Sequence, residues 1–390
     1  MFVRSFDLSK LGFKAILIPT FLFFLADAAL SFVFPVFIER QLQSNTAVGL
    51  IIAISSLAAF TCDIIFPDLL KNKSWKSDFI LAILLAITFS ITLFLGVQFG
   101  LVFFIIASLA WGVFWELIGF SHEDYILTDK NKQYNKDWAW IAITATIAML
   151  AGTLLGATML NMSLQAALTT ILTIQIIGTL TFLAITHSLT IQEKNWRYKI
   201  RIKHLYKRLK DWKTKLREVK TLISLVFVRA NIEATYWTFA ALLGISIAST
   251  NLEWVPLTTY LATMLLGGII YTQLDIKQPI RIAKYGLIIA GVLLAAIMFS
   301  QESFIIITIL LILSNSALSF ITPSVSGAYS QFINKHKQQK EYVAMKRLMI
   351  TTAWIIAPIS FGIIADQIGY INMFATLGAI SAITGTLIRA

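Results

Sequence analysis

Residues 15–37 read AILIPTFLFFLADAALSFVFPVF, an apolar run broken by a single ionisable side chain, Asp27. A helix rises about 1.5 Å per residue, so roughly 20 apolar residues cross the hydrocarbon core of a bilayer. This run is long enough. It exceeds the roughly 7–15 residues of a signal-peptide core and no A-x-A site ends it, so it is expected to be retained as a helix. Comparable runs recur at 47–66, 79–98, 101–120, 138–160, 165–187, 221–247, 254–273, 283–299, 303–325, 346–366 and 371–388. The fold class that follows is an all-α integral membrane protein with twelve transmembrane helices.

Composition points the same way. The chain has 390 residues, 57% of them hydrophobic and only 13% charged, against about 25% charged in a soluble domain. Cys62 is the only cysteine, which excludes an internal disulfide and a cysteine-based metal site. No cofactor and no metal are expected.

The net charge of +12 would suit a nucleic-acid binder if its distribution did not say otherwise. With the N-terminus placed in the cytoplasm, 30 of the 32 basic residues fall on that side. The exceptions are Arg40, on the far side, and Arg229, within a span. This alternation is the positive-inside signature, and a miscounted helix would scramble it downstream. Both termini are therefore expected in the cytoplasm, and nucleic acid is not an expected partner.

Six spans precede a basic segment and six follow it. The expected domains are an N-terminal bundle at 1–187, a linker at 188–220 and a C-terminal bundle at 221–390. Ala26-Asp27 with Ser31-Phe32 aligns with Ala230-Asn231 and Thr235-Tyr236, a short internal repeat of the kind paired halves produce. In the linker, Ile202, Leu205, Leu209, Trp212, Leu216 and Val219 recur at helical spacing among lysines and arginines. Such a helix is expected to lie on anionic lipid headgroups along 194–220, unless the segment is a plain basic connector.

Three stretches resemble the major facilitator superfamily of secondary transporters. Val48-Gly49-Leu50-Ile51-Ile52-Ala53-Ile54, followed by Ser55-Ser56-Leu57-Ala58, is similar to that family's second helix. Ala357-Pro358, Gly362, Ala365-Asp366, Gly369 and Phe374 are similar to its eleventh helix running into the twelfth. Ala151-Gly152 with Gly156-Ala157 is similar to its small-residue fifth helix. The family's Gly-x-x-x-Asp-Arg-x-Gly-Arg loop is replaced here by Phe66-Pro67-Asp68-Leu69-Leu70-Lys71-Asn72-Lys73, which lacks both glycines and the arginines. The resemblance implies alternating access between two bundles, in a multi-pass protein of the cell membrane that carries a small-molecule substrate, as a monomer.

Ionisable groups inside apolar spans are costly and are functional candidates by default. Asp27 sits roughly 18 Å along the first span, where a carboxylate needs a partner or a proton. It is either a proton-coupling site or a structural acid hydrogen-bonded to a neighbouring helix. Arg229 and Glu233 stand four apart, so they share a helix face and can pair. They serve either insertion, as a neutralised pair, or recognition of a substrate. Asn231 corresponds to Asp27 in the repeat and is a hydrogen-bonding candidate. Glu116 among Trp111 and Trp115 suits an organic cation or an interfacial aromatic belt. Tyr236 and Trp237 beside Glu233 allow the same two readings. Asp63, Asp68 and Lys71, near a cytoplasmic helix end, are gating candidates.

No G-x-x-x-x-G-K-[ST] phosphate loop and no G-x-S-x-G elbow occurs. His122-Glu123 begins a zinc-protease pattern that fails at Ile126. The competing classes are a polytopic enzyme acting on a lipid-linked substrate, for which His122, Glu123 and Asp124 are the available groups, and a membrane sensor without transport.

Overall fold

A computed structural model describes residues 14–69, 75–128, 134–187, 218–248, 252–274, 277–300, 303–334 and 339–388. The regular elements among them are helices. In chain order, α1 is Lys14–Leu42, α2 Asn45–Leu69, α3 Trp75–Phe99, α4 Leu101–Thr128, α5 Tyr134–Met159 and α6 Leu164–His187. Then come α7 at Lys220–Ile247, α8 at Val255–Gln273, α9 at Pro279–Ala295, α10 at Phe304–Ser319, α11 at Ile321–Asn334 and α12 at Gln339–Leu387. The linker stripe from Ile202 to Leu216 and the gating candidate Lys71 lie outside the described residues, as do the side chains of Asp68, Glu123 and Asp124.

Among the described residues, nine helical stretches are long and apolar enough to cross a membrane, and Val255–Tyr271 is a shorter apolar helix. The last stretch, Met345–Leu387, has 43 residues, about twice what one crossing needs. It is interrupted at Gly369, whose φ of 77° and ψ of 170° are not helical. The sequence divides 346–366 from 371–388 at the same place. The reason is that glycine adopts positive φ without a side-chain clash.

The helices are apolar on more than the face they pack. Leu84, Ile91, Ile176, Leu180, Ile309 and Leu313 are all exposed on the outer surface. A continuous apolar exterior is the pattern of helices solvated by lipid rather than water. Helices are also what the bilayer demands, because each satisfies its own backbone hydrogen bonds. The chain is a multi-pass membrane protein.

Its residues gather into two compact units. One holds the described residues of Met1–Val33 and Ile64–Lys199, the other those of Phe34–Asp63 and Ile200–Ala390. The boundary runs through α1, so the end of α1 and most of α2 group with the later helices.

Glycines set the closest approaches inside each unit. A methyl carbon built at Gly152 of α5 would lie 2.5 Å from the Leu25 carbonyl oxygen and 2.7 Å from the Ala28 side chain. One built at Gly156 would lie 2.8 Å from the Ala29 carbonyl oxygen. The two glycines, four residues apart, thus form the groove that seats α1 on either side of Asp27. In the second unit, Gly291 of α9 and Gly378 of α12 meet reciprocally: a methyl at either would lie 2.5–2.7 Å from the other's carbonyl oxygen. Between α3 and α4 stands only Gly100, at φ 87°, its N–H donating to the Gly96 carbonyl at 2.8 Å. A left-handed glycine closing a helix is the low-cost way to reverse a chain in one residue.

Candidate functional site

The first unit centres on Asp27. Its side chain is 5% exposed, and its Oδ1 accepts a hydrogen bond from the Trp111 indole Nε1 at 2.8 Å. Ser31, one turn further along α1, faces the same carboxylate. The Trp111 ring stacks on Phe89 of α3, with centroids 5.7 Å apart and planes within 16°. Glycines of α5 hold the far side of α1, as described above. Asp27 is thus fixed by three neighbouring helices. Among the described residues no cation pairs with it, so the charged form rests on neutral donors. A carboxylate in such surroundings carries a desolvation cost of several kcal/mol that one indole bond offsets only in part.

Other groups of this unit are placed differently from Asp27. Trp115 packs against Phe24, centroids 5.2 Å apart, and Glu116 beside it is half-buried. His122 is buried, its Nε2 3.0 Å from the Thr20 hydroxyl oxygen. The rings of Phe24 and Phe79 flank it at 6.1 Å. An enzyme using His122 at an open interface would need this ring accessible. It is enclosed.

In the second unit Arg229 and Glu233 form the intrahelical ion pair their spacing allows, both half-buried on α7. Asn231 turns its amide to the Phe227 carbonyl at 2.8 Å, a bond within its own helix. Tyr236 is fully buried, stacked on Tyr260 of α8 with centroids 4.6 Å apart and edge-on to Phe374. Its hydroxyl faces Asn315 of α10 without a hydrogen bond of standard geometry. Asn315 is itself buried, with its amide 3.5 Å from the Thr259 hydroxyl. Trp237 is half-buried. Sequence reasoning missed Tyr260 and Asn315. Asn315 had a signal, a carboxamide following a run of isoleucine and leucine.

A seam between α2 and α12, within this same unit, carries charges at both ends. Arg347 Nε lies 3.4 Å from Asp63, whose side chain is only 6% exposed, and the Thr351 hydroxyl donates to that carboxylate at 3.4 Å. At the opposite end the Asp366 carboxylate accepts from the Asn45 and Thr46 backbone N–H groups at 2.8 and 2.9 Å. It also accepts from the Thr46 and Ser44 hydroxyls at 2.6 and 3.2 Å. Tyr370 donates to the Asn45 side-chain oxygen. Asp366 thus caps α2 from another helix, where an anion meets unpaired N–H groups and the positive end of the helix dipole. Between the two ends Gly49 admits Pro358: a methyl at 49 would sit 2.0 Å from the Pro358 carbonyl oxygen. Asp366→Ala is expected to lower stability by about 1 kcal/mol, the usual loss for an N-cap, with Asp366→Asn losing less. Unfolding midpoints in detergent measure both.

The chain is thus a polytopic helical membrane protein with a buried acid in one unit and a polar core of tyrosine, asparagine and an ion pair in the other. Comparison with solved structures agrees at the level of the fold. The chain is similar to the nucleoside transporter NupG, with a TM-score of 0.70 and 16% identity over 96% of each chain. It is similar to the human organic anion transporter MFSD10, with a TM-score of 0.69 and 14% identity over 97% of this chain and 99% of that one. A peptide transporter POT in complex with sulfate matches with a TM-score of 0.73 and 10% identity, over 97% of this chain and 93% of that one. No family model and no curated protein matches the sequence.

Proposed function

We propose that the chain is a secondary transporter of the major facilitator type, moving a small organic solute across the cell membrane by alternating access. In this reading it crosses the membrane twelve times. The nine apolar stretches supply ten crossings, because Gly369 divides the longest, and α7 and α8 supply the other two. The halves are 1–187 and 221–390, joined by 188–220 on the headgroups of the inner leaflet, with both termini cytoplasmic and the protein a monomer. The positive-inside distribution supports that orientation.

The observation that carries the reading is Asp27: a buried carboxylate, held by an indole rather than a cation, in a chain whose fold runs end to end with that of solved transporters. An acid so held passes between charged and neutral forms as its surroundings open and close, which is what proton coupling requires. Glu116, Asn231, Tyr236 and Trp237 remain candidates for contact with the solute. Asp63 is a gate candidate, and its bond to Arg347 supports that role.

The test is solute flux in proteoliposomes under an imposed proton gradient. Asp27→Asn keeps the side chain's shape and removes its charge, and is expected to cut gradient-driven flux at least tenfold while leaving solute exchange without a gradient. Flux that still follows the gradient in Asp27→Asn removes Asp27 as the coupling group.

A further inference from the structure

Among the described residues of the second unit, not every half-buried cation has a carboxylate partner. Arg229 pairs with Glu233 through one Nη, while its Nε is buried with no hydrogen-bond partner. Lys346 of α12 is half-buried within electrostatic reach of Arg229. Its ammonium lies 5.7 Å from the centre of the Tyr329 ring and 3.4 Å from the Ser326 hydroxyl, neither of which carries charge. Of the nearby carboxylates, Glu218 lies exposed before α7 and is engaged by the Tyr342 hydroxyl at 2.6 Å. Asp63 is taken by Arg347. Among the described residues, Glu233 is the one carboxylate within ion-pair distance of either cation. Unbalanced positive charge inside a membrane helix bundle is expensive unless a counter-charge enters. The orphaned guanidinium N–H marks where an oxygen acceptor would complete the fork.

We infer that Arg229 and Lys346, with Ser326 and the Tyr329 ring, form a binding site for an organic anion bearing a carboxylate or sulfonate group. The inference deepens the transport reading and rests on it for the site's use, not for its existence. Glu233 has a second part in it. By holding one edge of the guanidinium it fixes the direction of the free N–H, and it repels a second carboxylate from that edge. The acidic candidates elsewhere do not compete for this role: Asp27 is committed to Trp111 within the other unit.

The probe is benzenesulfonate, a permanent anion on a small ring, set against benzyltrimethylammonium, a permanent cation on the same ring. Binding is read by thermal stabilisation of the full chain in detergent. Benzenesulfonate is expected to bind more tightly than the cation. Lys346→Gln is expected to weaken it about tenfold, as loss of one charge-assisted contact implies, and Lys346→Arg to retain it. The double change Arg229→Gln with Glu233→Gln removes the guanidinium without stranding its carboxylate, and should abolish the preference for the anion. Equal binding of the cation, or benzenesulfonate binding that is absent or unchanged in Lys346→Gln, overturns the site. Flux in liposomes separates the two readings. Benzenesulfonate that binds through Lys346 but never crosses leaves the site standing and removes transport. Uptake of the cation without anion binding does the reverse.

Discussion

Trp111→Phe is expected to destabilise the chain by about 3 kcal/mol, more than an ordinary aromatic exchange costs. Phenylalanine keeps the stack on Phe89 but has no N–H, so Asp27 Oδ1 loses the donor that now reaches it at 2.8 Å. The burden falls on the acceptor: a buried charged oxygen left without its partner costs more than the bond contributed. The same reasoning predicts relief. In an Asp27→Asn background Trp111→Phe should cost at most half as much, because a neutral amide needs the donor less. A double-mutant cycle on unfolding midpoints measures the coupling. Equal losses in both backgrounds would mean that the indole serves packing and does not hold the acid.

Gly152→Leu is the other change with a large expected effect, about 3 kcal/mol or more, from overpacking a seam that has no slack. The atoms that a side chain at 152 would meet are the Leu25 carbonyl oxygen and the Ala28 methyl. Neither is the far end of a flexible chain, so α1 itself must move. Even Gly152→Ala is expected to lower the unfolding midpoint measurably. Because Asp27 lies between the two contacts, the displaced helix should also lose the Trp111 bond. Gly268→Leu is the control, since nothing lies within 4 Å of a methyl there. A Gly152→Leu protein as stable as that control would show that the α1–α5 seam tolerates separation.

Much of the fold was legible because hydropathy and charge are properties of short windows. The apolar runs, the break near Gly369 and the Arg229–Glu233 pair all follow from local spacing. What was not legible is pairing across long separations. Trp111 meets Asp27 from 84 residues away, and hydropathy reads it only as one more aromatic among Trp115 and Phe114. Asp366 stood in the sequence as a residue of a family-like stretch beside a turn. Its work as a cap depends on Asn45 and Thr46, 321 and 320 residues earlier. Lys346 stands at the edge of a span, where a basic residue serves the orientation rule equally well in solvent or half-buried. The grouping of the α1 end and α2 with the later helices has the same origin: an apolar helix carries no mark of which apolar neighbour it prefers.

The one-residue joint at Gly100 bears on how the chain is made. With Phe99 and Leu101 both helical and nothing polar between them, there is no segment to be threaded across ahead of α4. α3 and α4 are therefore expected to enter the bilayer as one helical hairpin.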